Sequence, residues 1–234
     1  MGEVYLVRHG QASFGAADYD QLSDLGHAQA RHLGAWFGDC GLHFGRVVTG
    51  SLRRHKETAA GVLETLPAPL APPQPEIDVG FNEYDHTEIL TRHCPALADP
   101  AETKLILAKA SSPGRAVQRI FTEAMQRWLS SRHDDDYTES WNAFRGRCLK
   151  ALWRLAENAG EARRIVVFTS GGPIAAICQS LLDLPDHRMI ELNQSIVNSA
   201  VTKLLCQPGR VSLSYLNNFA HLERAGSPDA ISYR

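Results

Sequence analysis

Apolar runs alternate with amphipathic stretches along the first part of the chain. Residues 4–7 form an unbroken apolar run that ends in Arg8, His9 and Gly10. Residues 165–169 are an apolar run closed by a threonine, and residues 46–49 are a shorter stretch built on two valines. Short apolar runs bounded by turn residues are typical of buried strands. Helical periodicity follows each run, with Ser23 as the predicted N-cap of the first helix. The order strand, helix, strand, helix predicts parallel strands joined by right-handed crossovers.

The remaining pattern adds helices and an edge hairpin. Prolines between 67 and 75 exclude a helix, and residues 77–84 are predicted as a brief strand or extended segment that delivers Glu83. Residues 85–136 interrupt the alternation with predicted helices at 102–110 and 115–129, the second with an apolar stripe interpreted as core. A long helix is predicted over 139–158, ended by Ala159-Gly160. Residues 197–205 and 211–216 predict an antiparallel hairpin.

Composition narrows the class of protein. The 234 residues, 44% hydrophobic and 21% charged, fit one sizeable α/β domain, and a net charge of −2 disfavours nucleic acid or an anionic membrane as partner. Five scattered cysteines predict reduced thiols and a cytoplasmic protein. Met1-Gly2-Glu3 leads directly into the first strand, so neither a signal peptide nor a membrane-crossing run is predicted.

Polar turns follow three of the predicted strands, at Arg8-His9-Gly10, Thr49-Gly50-Ser51 and Ser170-Gly171-Gly172. The carboxyl ends of parallel strands meet at one edge of a sheet, and helix N-termini there attract anions. Arg54 lies one turn into the second helix. Arginines, a histidine and helix N-termini around one pocket predict a site for a dianion, with a phosphate monoester as the favoured ligand.

The same residues suggest a chemistry. His9 can attack phosphorus, Arg8 and Arg54 can hold the equatorial oxygens, and Glu83 can protonate the leaving alcohol. The arginines supply the charge, so no metal or cofactor is expected, and neither a His-Glu-x-x-His nor a P-loop lysine motif occurs. For an isolated Arg-His-Gly the alternative is structural: Arg8 caps a carbonyl and His9 packs under a loop.

Taken together, these motifs resemble the histidine phosphatase superfamily, also called the phosphoglycerate mutase-like family, over nearly the whole chain. The resemblance rests on Val-Arg-His-Gly at the first strand, Leu22-Ser23 with Gly26, Leu52 and Arg54 with Thr58-Ala59, Phe81-Asn82-Glu83, and the run 167–172. It implies a three-layer α/β/α fold with a mostly parallel sheet in a single domain, residues 1–234. It also implies a helical cap over about 85–136 that sets substrate choice, with Glu83 as the proton donor and Ser170 and Gly171 at the phosphate.

One position departs from the family pattern. The last motif of the family carries a second histidine before Gly-Gly, and here that residue is Ser170. Replacing a charge-assisted bond by a neutral one is expected to slow the chemistry by roughly one to two decades. His55 or His86 can fill the space instead, although ordinary surface or supporting positions are favoured for both.

Three functions follow as hypotheses. The first is a metal-independent phosphoric monoester hydrolase that acts through a phosphohistidine on a small phosphorylated molecule. The second is a phosphoglycerate mutase, which ranks lower because the loop Gln11-Ala12-Ser13-Phe14-Gly15 lacks the asparagine usual in mutases. The third is a phosphate-ligand binding protein with weakened catalysis, for which Ser170 would be the mark. The sequence leaves the physiological substrate and the oligomeric state open, a homodimer included.

Overall fold

A computed structural model of the chain describes residues 2–13, 20–67, 74–158, 162–226 and 228–233. The strands are β1 (Gly2–Arg8), β2 (Arg46–Thr49), β3 (Glu76–Ile77), β4 (Arg164–Thr169), β5 (Val201–Gln207) and β6 (Arg210–Asn218). The helices are α1 (Asp24–Asp39), α2 (Arg53–Thr65), α3 (His86–His93), α4 (Pro100–Lys109), α5 (Pro113–Leu129), α6 (Trp141–Glu157), α7 (Gly171–Leu181), α8 (Arg188–Ser195) and α9 (Ala220–Arg224). The predicted helix stop at Ala159-Gly160 and part of the loop after Gln11 lie outside the described residues.

The described strands form one mixed sheet in the order β3-β2-β4-β1-β5-β6. The pairs β1–β4, β2–β4 and β2–β3 are parallel, whereas β1–β5 and β5–β6 are antiparallel. The predicted mostly parallel sheet and the edge hairpin are therefore confirmed. The hairpin strand starts at Val201 rather than at residue 197, because Ser199 has a left-handed φ of 60° inside a turn.

Alternate residues of the central strands face two separate cores, as the pleat of a strand requires. Leu6 and Val167 pack with apolar side chains of α5, α6 and α7 on one face. Tyr5 and Phe168 pack with α1 and α2 on the other face. This arrangement is the three-layer α/β/α architecture, and it places the carboxyl ends of β1, β2 and β4 together at one edge.

The segment between β3 and α6 contains α3, α4 and α5. The core interpretation of the α5 stripe is correct for its second half, where Ala124, Met125, Trp128 and Leu129 are buried. It is wrong for Val117, which is 50% exposed, whereas Phe121 is partly buried against the core. The preceding helix α4 has no buried residue of its own. No helix within the described ranges is long and apolar enough to cross a bilayer.

Candidate active site

His9 follows the last residue of β1 and is 5% exposed. Its Nδ1 lies 2.7 Å from the carbonyl oxygen of Gly10. A carbonyl only accepts hydrogen bonds, so Nδ1 carries the proton and Nε2 keeps its lone pair. Burial, with the charges of Arg54 and Arg8, holds the pKa of His9 well below its usual range. The neutral imidazole that a nucleophile needs is therefore the stable form.

The two predicted arginines are tied to different parts of the chain. Arg54 is 8% exposed, and its Nη1 donates to Asp20 Oδ1 at 2.6 Å. Arg8 donates through Nη1 to the carbonyl of Ile196 and through Nη2 to the carbonyl of Tyr233 at 3.1 Å. The structural alternative for Arg8, a contact with carbonyls, is thus observed. Both arginines still act on the pKa of His9 and of Glu83, so their charges reach the same region.

Glu83 reaches the N-terminus of α7 from the segment after β3. Its Oε2 accepts a hydrogen bond from the backbone N–H of Gly172 at 3.1 Å, and Oε1 accepts one from Tyr84 N–H at 3.2 Å. A Cβ at position 172 would lie 1.9 Å from Oε1, so only glycine leaves room for the carboxylate. Burial raises the pKa of Glu83 despite these bonds. A raised pKa favours the protonated form that a general acid requires.

Ser170 lies between β4 and α7 and is fully buried. Its hydroxyl oxygen is 2.6 Å from Nε2 of His55, a residue in the first turn of α2. The ring of His55 is itself fully buried, and its centroid lies 5.8 Å from that of His9. His55 is therefore not at the surface, and of the two positions favoured for it only the supporting one agrees with its burial. His86 is the first residue of α3 and is exposed.

The predicted residues are held in place by polar side chains that lie within the motifs but to which the sequence analysis assigned no role of their own. Asn82 Oδ1 accepts from Ser51 N–H at 2.7 Å and so joins the Glu83 segment to the start of α2. Thr169 donates to the carbonyl of Phe81 at 2.6 Å and joins the same segment to β4. Thr58 Oγ1 accepts from Gly10 N–H at 3.0 Å. Single buried polar residues carry no periodicity, and only their closeness to the strand ends marks them.

Together these contacts gather His9, Glu83, Ser170 and the N-terminus of α7 at one edge of the sheet, within reach of the two arginine charges. A neutral imidazole with a free lone pair, a carboxyl group with a raised pKa and cationic donors are the groups that phosphoryl transfer needs. Among the described residues, no cluster of histidine, cysteine and carboxylate side chains is arranged to hold a metal ion.

The sequence matches the model of the histidine phosphatase superfamily (branch 1) over residues 4–104 and 110–219. The chain therefore belongs to the histidine phosphatase superfamily, whose chemistry is phosphoryl transfer in general. No curated protein matches the sequence with significant similarity.

Solved structures agree on the fold. A mutant phosphoserine phosphatase from Entamoeba histolytica, in complex with phosphoserine, aligns with 15% identity and a TM-score of 0.64 over 95% of this chain and 100% of that chain. A phosphoglycerate mutase from Bacillus anthracis gives 18% identity and a TM-score of 0.65 over 97% of both chains. A mycobacterial glucosyl-3-phosphoglycerate phosphatase gives 20% identity and a TM-score of 0.61 over 93% of this chain and 99% of that chain. At these identities the likeness establishes the phosphoglycerate mutase-like fold.

Proposed function

We propose that this protein is a metal-independent phosphatase that hydrolyses small phosphate monoesters through a phosphohistidine on His9. In this proposal Glu83 is the proton donor, and Arg8, Arg54, Ser170 and Gly171 hold the phosphoryl group. The observation that carries the proposal is the bond from His9 Nδ1 to the Gly10 carbonyl. It fixes the tautomer in which Nε2 is the nucleophile, in a ring that burial keeps neutral.

The reaction has two displacements. In the first, the Nε2 lone pair of His9 forms a bond to phosphorus while the bond from phosphorus to the ester oxygen breaks, and Glu83 gives that oxygen its proton. In the second, Glu83 as a carboxylate takes a proton from water, and the water oxygen displaces His9 to release phosphate. The raised pKa of Glu83 suits both halves of this exchange.

Charge on the transferred group is balanced by protein cations in this scheme. Arg8 and Arg54 both act on the pKa of His9, so their fields extend over the attacking atom. The N-terminus of α7 begins at Gly171 and adds backbone N–H groups with the positive end of a helix dipole. These groups perform the electrostatic role that a metal ion has in other phosphatases.

We also propose that α3, α4 and α5 form the cap that selects the substrate. The support is a cleft of about 1040 Å³ beside α3, a volume that accommodates a small molecule. Its described lining includes Glu83, Tyr84, Thr87 and Arg92, but neither His9 nor the two arginines of the phosphate site. The cleft therefore reaches Glu83, the residue that gives the leaving group its proton in this proposal.

The test is turnover of nitrophenyl phosphate with rapid quenching and recovery of the phosphorylated peptide. We expect a phosphoryl group on the peptide that contains His9, labile in acid and stable in alkali, as a phosphoramidate is. Chelator should leave the rate unchanged, because the cations of the mechanism are arginines.

Other outcomes point to the other candidate functions. A phosphoenzyme that transfers its group between hydroxyls of a phosphoglycerate faster than to water would indicate a mutase. Phosphate binding with neither turnover nor a phosphoenzyme would indicate a binding protein. A label that survives acid, or a rate that chelator abolishes reversibly, would contradict the phosphohistidine mechanism.

A further inference from the structure

The hydroxyl of Ser170 does not do what a serine at its position usually does. Ser170 is the N-cap residue of α7, where a serine side chain commonly accepts a hydrogen bond from the first turn of the helix. Here the side chain makes no such bond. Its oxygen is 2.6 Å from Nε2 of His55, and both side chains are fully buried. The Ser170 hydroxyl is thus hydrogen-bonded to an imidazole from another helix and does not cap its own helix.

The surroundings of the His55 ring decide which atom donates in this pair. Nδ1 of His55 is buried and has no hydrogen-bond partner in the described part of the chain. A Cβ built on Gly50 would lie 2.2 Å from Nδ1, so a Cα hydrogen of Gly50 already points at that nitrogen. An N–H there would clash and remain unpaired, which buried N–H groups rarely do. The proton therefore belongs on Nε2, which donates to Ser170 Oγ.

The pair lies beside the nucleophile. Arg8 and Thr169 are partners in the parallel register of β1 and β4, so the next residues, His9 and Ser170, leave the sheet side by side. The backbone N–H of His9 donates to the Thr169 carbonyl at 2.8 Å, and the rings of His9 and His55 have centroids 5.8 Å apart. Because His55 is the donor, the hydroxyl proton of Ser170 is not used in this pair and is available to another acceptor.

We propose that His55 is a positioning residue, which holds the Ser170 hydroxyl so that its proton is directed to a phosphoryl oxygen beside His9. The imidazole acts through Ser170, and it enters the site from α2 rather than from the turn before α7. The inference rests on the proposed phosphate site, and it assigns His55 and Ser170 to one functional unit. Gly50 belongs to the same unit because any larger residue would displace the ring.

A double-mutant cycle tests the unit. We expect His55→Phe and Ser170→Ala each to lower kcat for nitrophenyl phosphate, and the affinity for inorganic phosphate, by about 10-fold, with an upper bound near 100-fold. The double variant should have a kcat and a phosphate affinity no lower than those of the less active single variant, because each change removes the same interaction. Ser170→Ala removes one oxygen atom only, so it reports even where His55→Phe disturbs folding.

The chain offers a matched control and a rescue. His221 is buried and its Nε2 is 2.8 Å from Ser199 Oγ, so His221→Phe removes a similar pair elsewhere and should leave phosphate affinity within about 2-fold. Ser170→His alone should crowd His55 and lower activity. The double variant His55→Ser with Ser170→His returns one imidazole and one hydroxyl to the same space. It should recover most of the activity that Ser170→His alone loses.

Nitrogen NMR of the histidine rings gives a readout that needs no turnover. We expect His55 in the free protein to be neutral with its proton on Nε2. A proton on Nδ1, additive effects of the single variants, or unchanged phosphate affinity in Ser170→Ala would overturn the inference. If the parent binds phosphate but shows no turnover, the proposed phosphatase function fails, while phosphate affinity and ring NMR still decide the role of His55.

Discussion

Two buried serine–histidine pairs flank His9, and they are nearly alike in local geometry. His55 Nε2 lies 2.6 Å from Ser170 Oγ, and His221 Nε2 lies 2.8 Å from Ser199 Oγ. In both rings Nδ1 is buried without a partner among the described residues, and burial lowers the pKa of both. The local geometry of the two pairs therefore does not distinguish a functional pair from a structural one.

Their neighbours differ. His55 follows Arg54 in the chain, the Arg54 charge lowers its pKa further, and its ring approaches the ring of His9. Ser199 of the other pair donates its backbone N–H to the His9 carbonyl at 3.2 Å, and the ring centroid of His221 lies 6.2 Å from that of Trp36. In our proposal the first pair serves the phosphate site and the second serves packing, and the neighbouring Arg54 and His9 make the difference.

The largest expected effect distinguishes the role of the His9 side chain in turnover from the role of the His9 backbone in folding. His9→Ala should lower turnover by at least about three decades, because the covalent route is lost. The backbone bonds to Ser199 and Thr169 remain, so the chain should stay folded. Turnover and thermal unfolding of the variant measure the two effects, with His221→Phe as the comparison that should keep its turnover. A His9→Ala variant with parental activity would remove His9 from the chemistry.

The next largest effect concerns Glu83, which accepts a hydrogen bond from Gly172, two residues after Ser170 of the first pair. Glu83→Gln should slow alkyl phosphates by roughly 10²- to 10⁴-fold and nitrophenyl phosphate far less, since nitrophenolate leaves without a proton. In the parent, turnover of alkyl esters should fall as pH rises through the raised pKa of Glu83, because the acid form is lost. The lowered pKa of His9 should keep the nucleophile neutral well into acid. Rates for both esters against pH measure this, and equal slowing of the two would exclude Glu83 as the acid.

The sequence predicts the sheet well because its signals are local. Apolar runs specify β1 and β4, a shorter stretch with two valines marks β2, and turn residues mark the hairpin of β5 and β6. The helices α3, α8 and α9 were not anticipated, since each has eight residues or fewer and their packing is set by tertiary contacts. Exposure of Val117 likewise depends on what covers α5, which no periodicity in α5 itself encodes.

For the site, strand ends identify His9, Arg8 and Ser170, because sheet geometry brings such ends together. The sequence cannot show that His55 turns inward to Ser170, since the two are 115 residues apart and meet only in the folded chain. The Arg54–Asp20 ion pair and the Asn82–Ser51 bond are equally non-local. Side-chain direction at a helix start depends on neighbours such as Gly50, and motif spacing carries no information about it.

The smallest expected effect is on stability in acid. It compares how much the histidine of each pair lowers the free energy of unfolding at low pH. The folded chain keeps His221 neutral, with a pKa lowered to about 3 by burial, while the unfolded chain protonates this ring below about pH 6.5. The unfolded state then binds more protons, and the free energy of unfolding falls as pH falls. Between pH 7 and pH 5 this ring should account for a loss of roughly 2 kcal/mol.

His221→Phe should remove that part of the pH dependence, whatever it does to stability at pH 7. His55→Phe should act in the same direction, since burial and Arg54 also lower the pKa of His55. Denaturant unfolding of the parent and both variants at pH 7 and pH 5 measures the difference. A parental pH dependence in His221→Phe would mean that the fold accommodates the protonated ring. Equal stability effects with a phosphate defect confined to His55→Phe would show that the charge of Arg54 and the nearness of His9 distinguish the two pairs.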